Sequence, residues 1–170
     1  IALEKGLART SLRDISHDLN MSMGSIANYF PKRQGIITFA AEQARHSRKS
    51  DIDRMMQAPD PKKALMGWMI DLVESDAFAK SALLELELIT EAYRSEEVKE
   101  ILSDNAQFIL DMATQILRDR DHDQQLARQR AWQLLIFYFG LAVFALLDMK
   151  PAGEDTTNAL APIFQVGDKS

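Results

Sequence analysis

Along almost the whole chain, apolar residues recur at three- and four-residue intervals, and helix-breaking residues fall between the runs. That interval is one face of a 3.6-residue helix, whereas a half-buried strand would alternate every second residue. No alternating stretch of useful length, low-complexity tract or internal repeat occurs. The seven glycines and five prolines cluster where breaks are expected, as at Gly6, Pro31, Ala58-Pro59-Asp60-Pro61 and Lys150-Pro151-Ala152-Gly153. The fold class expected is all-α.

Short helices come first. Residues 1–5 look like the end of a helix already under way, which suggests a truncated N-terminus, and Gly6 closes it. Ser11 opens the next, with Asp14 three residues on in a capping-box arrangement. Leu12, Ile15 and Leu19 share its apolar face, and Asn20, tolerant of a left-handed backbone, interrupts. Ser22 caps a third helix through Tyr29, which Pro31 stops. Longer helices follow over 34–56, 61–75, 78–94, 95–118 and 124–149, then a short one capped by Asp155 and reaching Phe164. The charged stretch 118–124 is where a missing segment would sit.

Charge divides the chain in the same place. The net value of −5 argues weakly against nucleic acid as a partner. Yet residues 1–50 hold eight Lys/Arg against four Asp/Glu (+4), and residues 51–170 hold twelve against twenty-one (−9). A basic head on an acidic body suits a DNA-reading module joined to a body that does not bind DNA. Chance variation in solvated surface charge is the alternative explanation of that asymmetry.

A helix-turn-helix needs a supporting helix, a tight turn, and a second helix whose early residues reach base edges. Leu12, Ile15, Leu19, Met21 and Ile26 would form its small core. Met23, Gly24, Ser25 and Asn28 then point outward, with small residues at 24 and 25 permitting close approach to the groove. Asn28 carries the donor–acceptor pair that reads adenine. Ser22, Ser25 and the helix N-terminus suit phosphate, and Lys32 and Arg33 add charge for the same backbone. Periodicity alone favours a three-helix bundle with no DNA role.

The ordered string resembles the TetR family of bacterial transcription regulators. Thr10-Ser11-Leu12-Arg13-Asp14-Ile15, the turn Asn20-Met21-Ser22, Gly24-Ser25-Ile26 and Tyr29-Phe30-Pro31 carry the resemblance, with Arg33 where the family has lysine. The chain departs from the family at Ala27 (usually tyrosine), Asn20 (usually glycine), Lys32 (usually a helix cap) and Gly35, which weakens the first turn of the next helix. The resemblance implies a helix-turn-helix domain over 1–37 and a helical ligand-binding and dimerisation domain over 38–170. It adds Thr10, Ser11 and Tyr29 to the DNA-contacting residues. It further implies a homodimer on a palindromic operator, released by a small-molecule effector, in the cytoplasm with the nucleoid. Repression relieved by the effector is the family's usual mode.

The body resembles the family more weakly, through the stretch 84–95 and an apolar helix before a short last one. Leu134, Phe137, Gly140, Leu141, Phe144, Leu147, Leu160 and Phe164 are the residues expected at the dimer interface. Trp68, Met69, Leu72, Leu88, Phe108, Met112, Trp132, Phe137 and Tyr138 stand at helical spacing, which suits either plain core or the wall of an apolar pocket. Given the resemblance, a pocket among them is expected, with Glu91 in its wall. Glu85, Glu87 and Glu91 would attract a cationic ligand if one faced inward, and otherwise form a solvated face.

Other chemistry lacks its residues. The chain has no cysteine, so disulfides and thiolate metal sites do not arise. His17, His46 and His122 are scattered, with no Glu-x-x-His pair for a di-iron bundle, no Ser/His/Asp arrangement and no phosphate-binding glycine loop. No catalysis, metal or cofactor is expected. The apolar run from Leu134 to Leu147 spans fourteen residues, short of the roughly twenty that cross a bilayer. The first residues also lack a signal peptide's pattern, so a soluble protein with no membrane partner is expected. The rival function is a helical protein–protein interaction module without DNA readout.

Overall fold

The computed structural model describes residues 1–118, 124–149 and 151–164. Among them the secondary structure is helical, in the order α1 (Ala2–Lys5), α2 (Leu12–Asp18), α3 (Met23–Tyr29), α4 (Arg33–Met56), α5 (Pro61–Glu74), α6 (Phe78–Ala92), α7 (Glu96–Leu117), α8 (Gln124–Ala145) and α9 (Gly153–Phe164). The expected break within 118–124 falls largely outside the described residues. No described helix is long and apolar enough to cross a membrane.

The chain forms two compact units, residues 1–48 with 80–105, and residues 49–79 with 106–170. In the first, Leu7, Ile36, Ile37, Ala41, Leu88 and Val98 make a continuous buried core, with Leu12, Ile15 and Phe30 packed around it. Burying one Leu or Ile fully is worth about 1.5–3 kcal/mol, so this core joins the first helices to α4, α6 and the start of α7. Ser95 helps fix that start, since its hydroxyl accepts from the Val98 N–H (3.4 Å) and from Gln34 Nε2 (3.0 Å).

In the second unit, Asp60 caps α5 by accepting from the Lys63 N–H at 3.0 Å, and Pro61 stands in the first turn, where a missing N–H costs nothing. Leu65, Met69 and Val73 form the buried stripe of α5. α9 packs on α5 and α8. The 149 boundary expected for α8 is too late. Asp148 adopts φ +55°, and the Met149 N–H returns to the Phe144 carbonyl at 2.9 Å, a Schellman-type closure that ends the helix at Ala145. α9 also begins at Gly153, two residues before the expected cap.

Candidate nucleic-acid interface

The supporting helix α2 starts as its sequence requires. Ser11 Oγ accepts from the Asp14 N–H (3.2 Å), while Asp14 Oδ2 accepts from the Ser11 N–H (2.9 Å) and hydroxyl (2.6 Å). Lys5 Nζ lies 2.8 Å from Asp14 Oδ1 and ties α1 to this cap. The Lys5 and Ser11 hydrogen bonds hold the Asp14 carboxyl far below the usual range, and Asp14 in turn raises the Lys5 ammonium above its ordinary value.

The turn between α2 and α3 is tight. Asn20 takes φ +50°, and the Met21 N–H reaches the Ser16 carbonyl at 2.9 Å. Ser16 Oγ donates to the Met21 carbonyl at 2.7 Å. Ser22 then caps α3 by accepting from the Ser25 N–H at 3.0 Å, with the two hydroxyls 2.9 Å apart. Ile26, 1% exposed, anchors the helix inward. The expected small core needs one correction, because Leu19 ends α2 and is 57% exposed. Leu7, before α2, is buried instead.

The opposite side of α3 is open. Met23, Gly24, Ala27, Asn28 and Tyr29 are exposed and Ser25 half-buried. A Cβ on Gly24 would meet only Ser22 Oγ at 3.7 Å, so nothing crowds this face. Ala27 therefore lies in the middle of it, as the positions three to four residues from Met23 and Gly24 require. Lys32 is exposed just beyond the helix. So are Arg9 and Arg13, two of the cations behind the charge excess of residues 1–50.

Besides Ser22 and Ser25, three more residues expected on DNA have partners inside the chain. Thr10 is 4% exposed, and its hydroxyl donates to the Gly6 carbonyl at 2.8 Å. The Ser11 hydroxyl serves the α2 cap. Arg33 Nη2 donates to the Leu7 carbonyl at 3.2 Å, and Nη1 lies 3.8 Å from Glu91 Oε1. The carboxylates of α6 likewise act as anchors. Glu85 pairs with Arg48, and Glu87 accepts from the backbone N–H groups of Leu7 and Ala8. Glu91 also lies 3.5 Å from Arg94.

The expected pocket residues divide between the units. Leu88 is in the core of the first and Glu91 carries its ion pairs there. Trp68, Met69, Leu72, Phe108, Met112, Trp132, Phe137 and Tyr138 belong to the second. There Met69 and Tyr138 are buried, Trp132 is exposed and the rest are half-buried. Tyr138 meets Phe78 edge-on, ring centroids 5.9 Å apart. Among the described residues no group of three or more His, Asp or Glu could hold a metal ion.

The expected dimer residues divide by face. Leu134, Leu141 and Leu160 turn inward and are buried, while Phe137, Gly140 and Phe164 are half-buried. Phe144 and Leu147 are exposed, together with Trp132, Ile136, Phe139 and Val143. A helix apolar all round gives no sequence signal for which face the body covers. That is why the sequence does not single out Ile136, Phe139 and Val143 as exposed.

Three short helices, two of them capped by serines, and six further helices define an all-helical helix-turn-helix architecture among the described residues, and solved structures share it. A transcriptional regulator from Rhodococcus sp. Rha1 superposes with a TM-score of 0.79 at 22% identity, over 96% of this chain and 88% of that one. GusR from Salmonella enterica gives a TM-score of 0.69 at 17% identity, over 97% of this chain and 90% of that one. At such identities the likeness establishes the fold, which is TetR-like. No protein-family model and no curated protein matches the chain.

Proposed function

We propose that the chain is a sequence-specific DNA-binding transcriptional regulator that acts as a homodimer and is released from its operator by a small molecule. The observation that carries this reading is the exposed face of α3, held rigid from behind by Ile26, Asn20 and Ser22, in a fold shared with a transcriptional regulator. Asn28 would read a base, with Met23 and Ala27 as apolar contacts. Lys32, Arg9, Arg13 and Tyr29 would position the protein on phosphates. On this reading α1–α3 form the DNA-binding domain, and the rest of the chain serves ligand and partner.

The exposed apolar side of α8 supports the homodimer, because a second copy presenting the same face would cover it as a C2 pair. The part-buried aromatic and methionine side chains of the second unit suit an apolar effector. A protein of this kind works in the cytoplasm at the nucleoid. Selection from a random duplex pool tests the reading. The expected product is a palindrome with half-sites about one helical turn apart, or a multiple. An unenriched pool leaves the interaction-module reading in its place.

A further inference from the structure

Two carboxylates one turn apart on α6, Glu87 and Glu91, close on the single turn that joins α1 to α2. Glu87 takes the N–H of Leu7 and, at 3.3 Å, that of Ala8. Glu91 acts on the other edge of the same peptide through Arg33, whose guanidinium donates to the Leu7 carbonyl at 3.2 Å and lies 3.8 Å from Glu91. Gly6 makes the approach possible. Its φ of +81° suits glycine, and a Cβ there would lie 2.9 Å from Glu87 Oε1. Thr10 completes the turn by binding the Gly6 carbonyl.

We propose that Glu87, with the Glu91–Arg33 pair, forms a clamp by which α6 positions the DNA-reading helices, and that Arg33 works in this clamp and not on phosphate. The inference rests on the DNA-binding reading above. The mechanical path is short. Leu7 is buried beside Leu88, Ile36 and Ile37, so the clamped peptide cannot slide without disturbing that core. Lys5 and Thr10 tie the turn to α2, and α2 packs on α3. A shift of α6 by a fraction of an ångström would therefore tilt α3. Orientation governs specific contacts, which need geometry, far more than non-specific attraction, which needs only charge.

The test compares Glu87→Ala and Glu87→Gln with wild type in the full chain. Removing the acceptor strands two backbone donors, and the preference for selected over random DNA should fall about tenfold. Affinity for random DNA at low salt should stay unchanged, and the Gln variant, which keeps one acceptor oxygen, should recover part of the loss. Independently of DNA, amide exchange in Glu87→Ala should quicken at Leu7, Ala8 and through α2 and α3, with α5 and α8 unaltered. An unchanged preference for selected DNA, equal losses on both DNAs, or exchange as slow as wild type would each overturn the clamp. If wild type selects no DNA, the DNA-binding reading fails, and the exchange measurement alone decides whether the clamp holds the head.

Discussion

The exposed faces of α3 and α8 are built on opposite principles. On α3 the outward residues Gly24, Ser25, Ala27 and Asn28 are small or polar, with Met23 and Tyr29 at the two ends, and the helix is pinned from behind by a cap, a left-handed asparagine and one buried isoleucine. On α8 the outward residues Trp132, Ile136, Phe139 and Val143, continued by Leu147 in the turn that closes the helix, recur every three or four positions and are large and apolar. A surface of the first kind loses little by meeting water between encounters and can approach a groove closely. A surface of the second kind loses free energy until something covers it, at about 25 cal/mol for each Å² left wet. Under the proposed function, α3 would make an intermittent contact and α8 a permanent one.

The largest expected effect comes from breaking the permanent contact. Ile136 is 68% exposed, so Ile136→Glu should leave the monomer's fold intact. In a C2 pair it enters twice, and the dimer dissociation constant should rise on the order of a thousandfold (~4 kcal/mol). Sedimentation equilibrium checks this. An undisturbed dimer would place the interface elsewhere.

Next comes α3. Asn28→Ala should cost about 1–3 kcal/mol of discrimination between the selected site and single-base variants, with random DNA unaffected. Equal losses on all sequences would make Asn28 a backbone contact.

The basic pair beyond α3 gives a finer contrast. Lys32→Ala should lower the slope of log affinity against log salt by about one on every DNA. Arg33→Ala should weaken specific binding through the Leu7 turn and leave that slope near the wild-type value. Matching slope changes would return Arg33 to the phosphate contacts.

The smallest effect tests helix closure. Asp148 and Asn20 both hold positive φ where glycine is more at ease. Asp148→Gly should raise thermal stability by at most about 1 kcal/mol without altering DNA binding. A destabilised protein would mean that the Asp148 side chain contributes more than its backbone strain removes.

What could be read from the sequence depended on distance along the chain. Ser11 with Asp14, Asn20, Ser22 and Pro61 act on neighbours within a turn, and the structure shows each in the local role expected. The anchoring of Glu87 to Leu7 joins residues eighty positions apart, and no local pattern encodes it. For the same reason Arg33 looked like a free surface charge and Glu91 like a pocket residue. On α8 the obstacle was a different one. With apolar residues on every side, periodicity cannot distinguish Leu134 and Leu141, which the body buries, from Ile136 and Val143, which it leaves open.

The most direct test of α3 as a DNA reader is a titration of the wild-type protein with a selected duplex and a scrambled one across a range of salt. Affinity for both should fall as salt rises, because Lys32, Arg9 and Arg13 release counterions from either duplex. The selected duplex should remain about a thousandfold or more tighter near physiological salt. Equal affinity for the two duplexes at every salt concentration would contradict base readout by α3.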